Sequence, residues 1–327
     1  MKKYFLLISA LIFTIMPSHP DIMEYAKGRS GIALKNAFRI HCAPLKYDPD
    51  CSSKLPDIYR KKDEIIFDMI SGSNISINQS SIIQVVPSKW MEQSLLESSR
   101  ISIDLHNLAF TESTIFVDRK TYPFATVFKD TEIHGNVYIG YSSFRNDMIQ
   151  AVEPHNSTKG NIARIIFYAV TMYPVSLWTD WGGFFFDNNP YPTLTNEAAD
   201  LYMEWHRNDP VDDDELRRCM EIKEMQGNIN PFVTNPEIAE YLWGDKKGEI
   251  YGIESSRVPE MLKAVYSKRS DPKINLSTPY LPQDTQWWID RKKVDGDILT
   301  SSLSEGKHEL RFASAESCGK LLITITK

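Results

Sequence analysis

The stretch whose reading decides the fold runs from Ser81 to Pro123, SIIQVVPSKWMEQSLLESSRISIDLHNLAFTESTIFVDRKTYP. Ile82 to Val86 is an apolar, β-branched run broken only by Gln84 and stopped by Pro87, so it reads as a strand. Ser94 to Ser99 reads as a short polar turn. Asp104 to Leu108, DLHNL, supplies a second edge to the same small unit. A histidine such as His106, beside Asp104 in an apolar setting, is more often a hydrogen-bonded core residue than a catalyst.

Three blocks of this stretch, Ile82 to Trp90 (IIQVVPSKW), Asp104 to Leu108 and Ile115 to Phe124 (IFVDRKTYPF), resemble the endonuclease I family of secreted bacterial nucleases. In that family, R-E-H-V-V-P-x-S-W carries a metal-binding Glu and a general-base His, and V-N-S-x-R-x-N-Y-P-F carries a metal-binding Asn. The resemblance implies a ββα-metal (His-Me) finger. It places the family Glu on Ile83, the His on Gln84 and the Asn on Phe116. The first His of the family's D-L-H-H-L is structural, and that role falls on His106. Two further blocks carry the likeness: EPHNSTKGNIARIIFYAVTMYP from Glu153, and RRCMEIKEMQGNINPF from Arg217. Asn161 and Cys219 depart from the family pattern. The likeness extends over about Tyr25 to Asp245.

Hydrolysis of a phosphodiester in such a site needs a divalent metal on the phosphate and a base for the attacking water. Mg²⁺ takes hard oxygen ligands, and Ile83 and Phe116 have none. Gln84 offers an amide oxygen without useful basicity. No cofactor is therefore expected. The alternative is an active metal-dependent endonuclease with a rearranged site. It would use Mg²⁺ or Ca²⁺ and recruit His106, Glu112 or Asp118, of which Asp118, beside Arg119, is the best substitute ligand. Arg119 and Arg100 are candidate phosphate-pairing cations, against the commoner role of such arginines in structural ion pairs.

Outward from this stretch, the 327 residues suffice for one large domain and a small one. The net charge of −6 and pI near 5.7 argue against a broad basic surface for nucleic acid and leave a local basic groove open. Lys2 and Lys3 precede the apolar run YFLLISALIFTIM, the outline of a signal peptide over residues 1–18. That run is short for a membrane span, and the mature chain is expected to have none. The expected address is secreted, periplasmic or cell-envelope. Of the four cysteines, Cys42 and Cys51 are spaced to close a small loop in an oxidising compartment, and the sequence leaves their pairing open.

A helix is expected over Ile32–Arg39, a strand or helix over Lys61–Met69, and a strand over Val137–Phe144. Ile162, Ile165, Ile166, Ala169 and Met172 share one helical face, and Pro174 ends that helix. WTDWGGFFFDNN, from Trp178, invites a binding-site reading, but Trp181 and its three Phe neighbours are expected to fill core. Helices follow over Glu197–His206 and, between an Asp212 cap and a Gly227 stop, over Asp213–Gln226. From Lys273 the pattern alternates with period two, and QWWIDRKKV, KHELRFAS and KLLITITK resemble the small immunoglobulin-like modules of secreted bacterial proteins.

The reading is an α+β endonuclease I-like domain over 22–248, a linker over 249–271 and an all-β sandwich over 272–327. The first domain is read as a degenerate nuclease acting as a binding or structural protein. Nucleic acid, or a surface protein or carbohydrate met through the last module, is the expected partner.

Overall fold

The computed structural model describes residues 22–91, 93–173, 178–179, 181–252, 262–276, 285–313 and 318–327. The segment read as a signal peptide, and Pro174, lie outside the described residues. Helices α1 (Ile22–Ala26), α2 (Gly31–Cys42) and α3 (Leu55–Tyr59) lead into an antiparallel sheet of β1 (Arg60–Lys62), β2 (Ile65–Phe67) and β3 (Asn74–Ser76). The stretch from Lys61 to Met69 thus takes the strand alternative.

Next come β4 (Ser80–Gln84), α4 (Leu95–Ile101), β5 (Leu108–Glu112) and α5 (Ser113–Arg119). The expected turn over Ser94–Ser99 is instead the first part of α4. Ile101 is fully buried and anchors that helix, and Ser98 Oγ ties it to the Ser88 carbonyl at 3.0 Å. Serine is only mildly unfavourable in a helix, so one anchoring contact outweighs the local preference. An antiparallel meander follows, β6 (Lys129–His134), β7 (Val137–Phe144) and β8 (Asp147–Glu153).

The helical half comprises α6 (Lys159–Met172), α7 (Gly182–Phe185), α8 (Asn196–Asn208), α9 (Asp213–Gln226), α10 (Pro231–Thr234) and α11 (Ile238–Leu242). Its centre is α6, buried on every side from Gly160 to Met172, where the sequence promised one apolar face. Its polar residues are satisfied inside. Arg164 makes a two-pronged ion pair with Glu215, Nε to Oε1 at 2.8 Å and Nη2 to Oε2 at 2.5 Å, and Asn161 accepts from Arg218 at 2.6 Å. Gly160 has no room for a side chain, which would collide with the Asp209 carbonyl. Asp212 caps α9 by accepting from the Glu215 amide at 2.7 Å, and Gly227, at φ 84°, closes it in the left-handed conformation. Phe185 and Phe186 are buried as expected, whereas Trp181 and Phe184 are only partly covered and Trp178 is buried in their stead.

One hydrophobic core runs from Ala26 to Tyr251, and a second from Tyr266 to Ile325. The second belongs to an all-β unit: β9 (Val265–Ser267), β10 (Lys273–Ile274), β11 (Gln286–Ile289), β12 (Lys292–Val294), β13 (Ile298–Leu299), β14 (Gly306–Ala313) and β15 (Cys318–Thr326). Five of them form a sheet in the order β12-β11-β14-β15-β9, with β9 parallel to β15. The pair β10–β13 sends Ile274 and Ile298 into the same core. β9 lies inside the stretch read from sequence as linker. Among the described residues no helix is long and apolar enough to cross a membrane.

Candidate active site

β4 and β5 pair antiparallel from Ser80↔Glu112 to Gln84↔Leu108, and α5 follows β5 without a break. The helix folds back on the first strand, where Ser113 Oγ meets Ser81 Oγ at 3.0 Å. This is a strand–strand–helix finger. Its corner is set by Asp68, fully buried, whose carboxylate accepts from the amides of Ile70 at 2.8 Å, Ser71 at 3.1 Å and Glu112 at 3.0 Å. Sequence reasoning passed over Asp68, because the Asp-x-Ile-Ser-Gly turn that it builds is a common local motif.

The finger's key positions carry two hydrocarbon side chains and an amide. Ile83 faces the main core at 2% exposure, directly opposite Ala109. Gln84 points its amide oxygen at the Ser88 amide, 2.7 Å away, and so closes the turn around Pro87. On α5, Ile115 and Arg119 lie one turn apart and face inward, while Phe116 is exposed.

The candidate substitutes are scattered. His106 is buried far along another network: its ring lies 4.8 Å from that of Tyr168, its Nε2 is 3.4 Å from the Asn228 carbonyl, and burial lowers its pKa. Glu112 ends β5 half-buried. Asp118 has a partner that the sequence did not suggest, since its Oδ2 lies 2.8 Å from Nε2 of His134 at the end of β6. The only local signal was a histidine at the rim of a Gly135–Asn136 turn. The pairing itself is a contact between elements.

The two arginines differ. Arg119 is buried, donates from Nη2 to the Val85 carbonyl at 2.9 Å and sits over the Phe124 ring at 4.6 Å. Its Nε is buried without a hydrogen-bond partner, and among the described residues no carboxylate pairs with it. Burial pulls its pKa down to about 9. Arg100 is partly exposed, paired with Glu97 at 3.2 Å and lying over Tyr47.

A divalent metal finds no fitting donors at the three key positions. Ile83 and Phe116 have no side-chain oxygen, and the Gln84 oxygen is already occupied by a backbone donor, where Mg²⁺ or Ca²⁺ requires several hard oxygens. Among the described residues no group of three or more His, Cys, Asp or Glu is arranged to hold a metal.

What holds the finger in place is a buried anion. Asp104 accepts at Oδ2 from the hydroxyls of Tyr168 at 2.8 Å and Tyr173 at 2.7 Å, and at Oδ1 from Gln226 Nε2 at 2.8 Å and the His106 amide at 3.0 Å. Four donors replace the water that this carboxylate gives up. Asn228 completes the network, donating to Tyr168 at 2.8 Å and to the Cys42 carbonyl at 2.9 Å. The three thiols Cys42, Cys51 and Cys219 are buried and free.

Over a stretch of 104 residues the chain is 33% identical to an extracellular ribonuclease of Bacillus subtilis (strain 168). It is 35% identical over 104 residues to the extracellular ribonuclease of Bacillus amyloliquefaciens. Each match covers 28% of this chain and 32% of the relative, so the chain spans about a third of the length of the curated relatives that it matches. The family model of endonuclease I matches residues 34–237, which include the finger, the meander and the helices up to α10. With that match over more than half of its length, the chain belongs to the endonuclease I family.

Proposed function

We propose that this protein is an exported member of the family whose finger has lost phosphodiester hydrolysis and now serves a binding or structural role. The observation that carries the reading is the trio Ile83, Gln84 and Phe116, where the family resemblance calls for two metal ligands and a base. Loss of the base alone costs about 10²- to 10⁴-fold in rate. Loss of the metal removes the charge stabilisation on the phosphate as well. Arg119 has no carboxylate partner among the described residues, but it is buried against the Phe124 ring and supports the finger from within. Of the two candidate arginines, Arg100, partly exposed and engaged by Glu97, is the one placed to meet a phosphate. The relatives are named ribonucleases, which makes RNA the first polymer to test. Purified protein is incubated with RNA and with plasmid DNA in Mg²⁺, Mn²⁺ or Ca²⁺. The expected result is no cleavage, and EDTA-sensitive cleavage refutes the reading.

A second reading, an active nuclease with a rearranged site, is favoured by the His134–Asp118 pair, a carboxylate that orients an imidazole within hydrogen-bonding distance. It predicts that any cleavage observed disappears in His134→Ala. Cleavage unaffected by that substitution removes this reading.

A further inference from the structure

A cavity of about 310 Å³ lies where the β-module meets the first domain, and it shares lining residues with a more polar one of about 680 Å³. Lys247, Arg291 and Arg311 line both. The smaller cavity sets these three cations against one acid, Glu249, while Asp200, Glu204 and Asp245 line the larger one with Arg207. Arg311 is fixed, its Nη1 donating to the Lys247 carbonyl at 2.6 Å and its Nε to Glu309. Lys247 and Arg291, in contrast, form no salt bridge among the described residues, and the acid of the smaller cavity, Glu249, is paired with Lys320 at 3.6 Å. Burial and the neighbouring Arg291 depress the Lys247 pKa, with Asp200 opposing them.

Two further features converge on the same space. The N-terminus of the 12-residue helix α2 opens there at Ser30 and Gly31, with no acidic residue in its first turn and no hydrogen bond from the Ser30 side chain to the helix. Helix N-termini present free amides and a partial positive charge to anions. The walls are planar rings. On β11, Trp287 points into the module core, 5.2 Å from Phe312, so its neighbour Trp288 faces the other way, onto the cavity. Tyr191 also lines the cavity, held by its hydroxyl on the Leu242 carbonyl at 2.9 Å. Arg291 sits in the left-handed conformation at φ 68°, on the turn after β11, where glycine would be at ease. A guanidinium is presented at that point at a cost to the backbone.

We propose that this cleft binds a mononucleotide, its phosphate against Lys247, Arg291 and the α2 N-terminus and its base between Trp288 and Tyr191. A cavity of this size with aromatic walls and a few convergent polar groups suits a small planar ligand. Stacking on the rings supplies the base affinity, and charge-assisted hydrogen bonds the phosphate affinity. The site uses no finger residue and stands apart from whether the finger cleaves.

The test is isothermal titration calorimetry of the full chain with adenosine monophosphate, inorganic phosphate and adenosine. The expected result is one nucleotide per chain, with phosphate and adenosine each about tenfold or more weaker, since both halves contribute charge-assisted or stacking terms of that size. Arg291→Gly keeps the turn, because glycine suits its backbone, and should weaken the nucleotide about tenfold or more. Trp288→Leu should bring the nucleotide down to the affinity of phosphate. The proposal is overturned if no nucleotide binds, if Arg291→Gly binds as tightly as the parent, or if phosphate or adenosine alone matches the nucleotide.

Discussion

Substituting Ile83 by Glu tests whether the finger's first ligand position is still fit for a carboxylate. Ile83 is 2% exposed in a continuous apolar core, with Ala109 opposite and Val85 and Val86 beyond it. Removing the isoleucine costs about 2 kcal/mol of lost burial. An uncompensated carboxyl there should have its pKa raised by about three units, and ionising it adds about 4 kcal/mol at neutral pH. The sum, about 6 kcal/mol, is comparable to the whole stability of an ordinary domain. The sign with pH is fixed. With the folded pKa above the unfolded value of about 4.3, the ionisation cost is full above the raised pKa and falls away as pH drops towards 4.3. Urea unfolding of Ile83→Glu from pH 8 to pH 5 measures this directly, and Mg²⁺ should not rescue the single variant. In the triple variant Ile83→Glu, Gln84→His, Phe116→Asn, Mg²⁺ should restore stability by mass action and cleavage should appear. A cost under about 1 kcal/mol without pH dependence would show that Ile83 is wetted and would refute the hydrocarbon-site reasoning.

Three further outcomes are expected. Glu215→Ala leaves the fully buried Arg164 unpaired and should cost about 3–5 kcal/mol in chemical unfolding, whereas the paired change Arg164→Leu with Glu215→Leu should cost less than the single substitution. His206 is buried, and burial and the Arg164 charge lower its pKa from 6.5 to about 4. Its unfolded form therefore takes the proton first, and stability should fall by about 3 kcal/mol between pH 6.5 and pH 4, a slope that His206→Gln removes from the pH–stability curve. In the β-module the Asp290 hydrogen bond raises the His308 pKa. That stabilisation is complete below the unfolded pKa and lost as pH rises through the folded one, so histidine NMR titration should show opposite displacements for His206 and His308.

The parts that the sequence makes legible are those where one residue type dictates one local shape. Asp212 and Gly227 bracket α9 as capping rules require, Val137–Phe144 pairs as a strand, and the apolar positions of α6 are all buried. The finger frame follows from its motif blocks. What stayed hidden depends on contacts distant in the chain. The His134–Asp118 pair joins a β-hairpin to a helix, and the burial of Arg119 depends on Phe124 and Val85 closing over it. α4 escaped because its serines speak for a turn, while the fully buried Ile101 that anchors it carries no local signal. β9 escaped because its partner, β15, is about sixty residues further on and parallel to it.

The Asp104 carboxylate draws its donors from Tyr168 and Tyr173 and from Gln226, with Asn228 behind them. During synthesis, a ribosome that has just released Asp104 has more than a hundred residues still to add before the last of these partners exists. The β4–β5 ladder can zip early, since its strands are near one another in the chain, yet the seat beneath it stays charged and hydrated until Asn228 emerges. The central polar network of the domain thus cannot be completed until nearly all of the chain that builds its core, Ala26 to Tyr251, has been made.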